Sequence, residues 1–137
     1  MLHTKQWDGI KPGTTITADE TVTGPWLDLE SVQGSLSITI IDENGNSTSQ
    51  DITYQKGICP YDENIKTGSY QELADKLIAV TPADGGTIGS NVDCNAATNN
   101  AVADTLTLPD GRWFRFKILN DTGMADAKDS LYIEGQV

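Results

Sequence analysis

The stretch GSLSITIIDENGNSTSQDITYQ (residues 34–55) decides how the chain is read. Leu36, Ile38 and Ile40 alternate with Ser35, Ser37 and Thr39, the period of a half-buried antiparallel strand. Ile52 and Tyr54 resume the alternation after DENGNS (residues 42–47). Asn44-Gly45 supplies residues that accept positive φ, as a type I′ turn requires, so the segment is expected to be a hairpin tip. The same six residues place oxygens at Asp42, Asn44 and Asn46, as a calcium loop does. Such a loop next needs Gly where Ser47 stands and a bidentate Glu where Thr53 stands, so the turn is the preferred reading and no metal is expected.

The alternation recurs downstream. DTLTL puts Leu106 and Leu108 on one face, Pro109, Asp110 and Gly111 read as a second hairpin turn, and RWFRFKILN follows with Phe114, Phe116 and Ile118 on its core face. Trp113, Arg115, Lys117 and Leu119 take the opposite face of that strand. In the closing SLYIEGQV, Leu131 and Ile133 oppose Tyr132 and Glu134. One helix is predicted near residues 70–79: Ser69 and Glu72 have capping-box spacing, and Tyr70, Leu73, Ala74, Leu77 and Ile78 form a stripe. Loop-like segments flank it at residues 57–69 and 83–103. The expectation is a single mainly β domain over residues 1–137, an antiparallel β-sandwich with one short helix, whose threonine-rich residues 1–25 form an extended arm.

Composition narrows the partners. The 137 residues include 20 acidic and 9 basic side chains, a formal charge of -11, which repels phosphate backbones and anionic lipid heads. Nucleic acid and membrane are therefore not expected partners. Cys59 and Cys94 stand in no metal-ligand spacing, and a chain of this length buries a core without a crosslink, so both are expected as thiols. The N-terminal residues carry no basic region followed by an apolar run, so synthesis in a cytoplasm without export is expected.

Reactive chemistry finds little to work with. His3 is the only histidine, so triads that need a histidine base are not expected to form elsewhere in the chain. ADGGTIGS (residues 83–90) lacks both the phosphate-loop lysine and the dinucleotide glycine spacing. Asp28, Glu30, Asp62, Glu63, Asp121 and Asp126 could in principle pair as glycosidase carboxylates, but scattered surface acids are the simpler reading. No catalytic residue and no cofactor is expected. The sharper candidates are for contact: Trp113, Arg115 and Lys117 on one strand face, where an indole between cations can grip a partner or simply cap the core, and Trp7 and Ile10 in the arm. Trp26 is expected to be buried for its size.

Taken together, TGPWLDLES, GSLSITI, GRWFRFKILNDTG and SLYIEG resemble the small β-sandwich decoration, or cement, proteins laid on the capsids of tailed bacteriophages. The resemblance covers the first and last thirds of the chain and carries over no individual site residue. It implies a jelly-roll-like or Greek-key sandwich. It also implies a symmetric homo-oligomer, a trimer by preference, that binds the major capsid protein lattice on the virion surface and stabilises the shell. The alternative from another class is a carbohydrate-binding or adhesin-like sandwich with Trp113 and Tyr132 as its platform.

Overall fold

Nine strands account for most of the described residues in a computed structural model, which describes residues 3–57, 83–108 and 111–137. They are β1 (Thr4–Ile16), β2 (Thr21–Thr23), β3 (Leu27–Asp28), β4 (Gln33–Asp42), β5 (Gln50–Gly57), β6 (Ala83–Val92), β7 (Ala101–Leu106), β8 (Trp113–Asn120) and β9 (Ala127–Gln136). One sheet runs β1-β9-β4-β7; the other runs β2-β8-β5-β6, with β3 also paired to β8. All pairings are antiparallel. The expected antiparallel β-sandwich is thus what the chain forms. With β2 and β3 taken as one interrupted edge, the strand order is that of an eight-stranded jelly roll, two interleaved Greek keys.

The core forms where the inward faces of the two sheets meet. Leu36, Ile38 and Ile40 of β4 and Leu131 and Ile133 of β9 face Ile52 and Tyr54 of β5 and Phe114, Phe116 and Ile118 of β8. Each of these was assigned inward by alternation alone, and each is buried.

The two expected hairpins are not hairpins. β4 pairs with β7 and β9, whereas β5 pairs with β6 and β8, so DENGNS carries the chain from one sheet to the other as an arch. The segment after Leu106 likewise leaves the sheet of β7 for that of β8. Period-2 patterning says which side chains face the core, but strands in facing sheets and strands side by side in one sheet both satisfy it.

The turn differs too. Gly45 N donates to the Asp42 carbonyl at 3.0 Å, so Glu43 and Asn44 are its central residues, and only Gly45 of the Asn-Gly pair takes a positive φ, +63°. The arch is closed by Asp42 itself, whose carboxylate accepts from Ser47 N at 2.9 Å and Lys128 N at 3.3 Å.

Of residues 1–25, expected as an arm, those described are integrated into the sandwich. β1 pairs with β9 from Thr4 to Ile16, through two register shifts, and β2 pairs with β8. Threonine-rich sequence suits an edge strand as well as an arm. This edge closes tightly: a Cβ on Gly24 would stand 1.7 Å from the Gly9 carbonyl oxygen, so only glycine permits the approach. The expected helix near residues 70–79, the Pro109-Asp110 turn and Cys59 lie outside the described residues.

Candidate partner-binding face

The outward side of the β1-β9-β4 sheet carries a grid of side chains set by strand register. Gln6, Glu134 and Ser37 are cross-strand partners in one row, and Asp8, Tyr132 and Thr39 in the next. All six line one shallow depression. Tyr132 is 38% exposed, the one exposed large hydrophobic residue among those described. Gln6 Nε2 donates to Glu134 Oε2 at 3.0 Å and holds that row in place. The face therefore offers an aromatic surface ringed by hydroxyls, an amide and two carboxylates. An open, flat, polar site of this kind suits a large partner surface or a sugar chain better than an enclosed small molecule.

The residues singled out for contact fall elsewhere. Ile10 is core, 1% exposed; it is an inward residue of β1 and makes no outward surface. Trp113 is also buried, at 7%, which excludes it as an exposed platform. It lies on the outer side of the β8 sheet, where Arg112 stands 5.2 Å from its ring. Trp26 is buried there too, as its size suggested, with Arg115 stacked over it at 4.5 Å. Arg115 Nε donates to Gln55 Oε1 at 2.7 Å, and burial lowers the guanidinium pKa from its ordinary value. Arg115 thus serves as a lid over the Trp26 indole, while Trp113 is covered by Arg112 instead. Lys117 is half-buried on the same face and lines a separate small depression with Thr53 and Thr87.

Trp7 does not join the grid either: its β9 partner is the buried Ile133, so its side chain leaves the sheet on the inward face. It packs half-buried against the core edge, Lys5 lies over its ring at 5.3 Å, and it borders a second depression with Asp28, Glu30 and Arg112. There Arg112 pairs with Asp28 at 3.0 Å and Glu30 at 3.4 Å. Two of the carboxylates considered as a glycosidase pair are thus engaged by one guanidinium.

A further cluster escaped sequence reasoning altogether. Asp42, Ser47, Gln50, Asn120 and Asp129 are all fully buried at the arch end of the sandwich. Ser47 Oγ donates to Asn120 Oδ1 at 2.6 Å, and Asn120 Nδ2 donates to the carbonyls of Ile16 and Ala125, each at 3.0 Å. Gln50 Nε2 donates to Asp129 Oδ2. Cys94 is a buried thiol beside them; burial, with Asp129 and Asp42 nearby, pushes its pKa up to about 12, which makes it a packing residue rather than a nucleophile. Among the described residues, no group of three or more His, Cys, Asp or Glu side chains could hold a metal ion.

Comparison with known proteins returns no matching family and no similar curated protein.

Proposed function

We propose that this chain is a non-catalytic virion protein that decorates a tailed-phage capsid, binding the major capsid protein lattice and stabilising the shell. The observation that carries the reading is the Tyr132 grid, a flat, open, aromatic and polar face on a jelly-roll sheet. Its own sheet ends in β1 on one side and β7 on the other, and edges of this kind favour cover by a second protomer or by the shell. A symmetric oligomer, a trimer by the family resemblance, would supply part of that cover. The charge of -11 favours a basic lattice surface, which Asp8 and Glu134 would meet around the tyrosine.

One observation favours the carbohydrate-binding reading as the second: a tyrosine among hydroxyl, amide and carboxylate groups is also the chemistry that holds a sugar ring. Its platform would be Tyr132 without Trp113. Co-sedimentation with undecorated capsids, run beside a glycan array, separates the two. Pelleting with shells that is lost in Tyr132→Ser supports decoration. Strong binding to one glycan class with no pelleting would replace decoration with the second reading.

A further inference from the structure

Asp42 and Asp129 are direct cross-strand partners on β4 and β9, so their side chains leave the sheet on the same face. That face is the interior, and both residues are fully buried. Two carboxylates in such proximity, without solvent, do not both ionise at modest cost.

Their surroundings offer no compensating charge among the described residues. From β5 comes the Gln50 amide; from the segment after β6 come Asp93 and the neutral Cys94 thiol; from β8 comes Asn120, already committed to Ser47 and two carbonyls. The ammonium of Lys128 turns outward to Glu43 at 3.6 Å. The cluster is also rich in acceptors: Gln50 Oε1 and Asp129 Oδ1 are buried with no hydrogen-bond partner. A proton on the pair supplies the donor that the cluster lacks.

We propose that Asp129 holds a proton against its neighbour Asp42, and that loss of this proton around neutral pH loosens the arch of residues 43–49 from the start of β9. The coupling is direct, because the Asp42 carboxylate that would be repelled accepts from Ser47 N in the arch and, together with Asn44 Oδ1 of the arch, from Lys128 N at the start of β9. Glu43, Asn44, Asn46 and Thr48 of the arch are exposed, so Asp42 can move toward water, which strains the remaining ties of the arch to this end: Glu43 N to the Lys128 carbonyl at 2.8 Å and the Asn44 amide to the Asp126 carbonyl at 3.0 Å. Burial, followed by the Asp42 charge, pushes the Asp129 pKa up to about 7, which sets the release near neutrality. The pair thus acts as a proton-binding latch on one end of the sandwich, independent of what the Tyr132 face binds.

Amide hydrogen exchange resolved by residue tests the latch. With intrinsic exchange rates divided out, protection at Ser47 and Lys128 is expected to fall about tenfold or more as pH rises from about 6 to about 8.5, while Phe116 in the apolar core keeps its protection. Asp129→Asn, which stays neutral, is expected to hold the Ser47 and Lys128 values flat. An equal fall in Asp129→Asn, or no local fall in the unmodified chain, would overturn the proposal. If that variant does not fold, the Asp129 carboxyl carbon shift decides in the unmodified chain. A titration midpoint near neutrality supports the latch, and one in the ordinary carboxylate range of about 4 contradicts it.

Discussion

The two ends of one interior follow the same geometry with opposite chemistry. In the middle of the sandwich, Ile40, Ile52, Ile118 and Leu131 point inward from four strands of both sheets, and all are buried. Two residues along each strand, at the same period, stand Asp42, Gln50, Asn120 and Asp129, buried just as completely. The apolar half is stabilised by removing hydrocarbon from water, and any packed apolar set of that volume would serve. The polar half is stabilised only while each donor finds its acceptor, so it depends on particular partners and on pH. The first half makes the sandwich stable, and the second gives the arch and the start of β9 a defined position.

Substitutions that separate the halves are ordered by size. Phe116→Ala, in the apolar half, is expected to lose about 3–5 kcal/mol in urea denaturation, by the same amount at every pH. Asn120→Ala removes the closest acceptor of the Ser47 hydroxyl and the amide donor of two carbonyls and should lose about 2–3 kcal/mol; a loss below about 0.5 kcal/mol would show that the polar end is not integral. Gly45→Val forces a β-branched side chain to φ +63°, with its Cβ only 3.1 Å from Asn100, and should cost about 1 kcal/mol or more.

The pH dependence divides the halves without changing a residue. A carboxyl whose pKa is raised in the folded chain binds its proton more tightly folded than unfolded. Its contribution is therefore full below the unfolded value near 4 and is lost as pH climbs through the folded value, about 7 for Asp129. The melting temperature of the unmodified chain should decline across that window more steeply than that of Asp129→Asn, and parallel curves would count against the buried pair. The smallest effect on stability belongs to Tyr132→Ser, within about 0.5 kcal/mol, although it should abolish capsid co-sedimentation.

Legibility followed chemistry. Alternation revealed Leu36, Ile38, Ile40, Phe114, Phe116, Ile118, Leu131 and Ile133 because apolar side chains mark an inward face unmistakably. The same alternation ran on to Asp42, Asn120 and Asp129, but polar residues at inward positions are indistinguishable from surface ones until their partners are known, and those partners lie on other strands. Tyr132 was placed outward by its phase. Its grid partners Gln6 and Asp8 were hidden because β1 was read as an arm. Trp113 shows the converse limit: phase put it on the outer side of its sheet, correctly, yet that side is covered. Which strands pair could not be read at all, since Asn44-Gly45 has the residues of a hairpin turn while Asp42, pulled inward by the buried cluster, bends the chain across to the other sheet.

That crossing is what makes the fold a jelly roll, so it is the claim to test most directly. Backbone nuclear Overhauser contacts between adjacent strands read it without substitution, because protons on paired antiparallel strands approach closely whereas those in facing sheets do not. The account predicts contacts joining Ile40 to Leu131 and Ile52 to Ile118, as their register requires, and none between the backbones of β4 and β5. A ladder of contacts running from residues 40–42 to residues 50–52 would restore the hairpin and contradict the jelly roll.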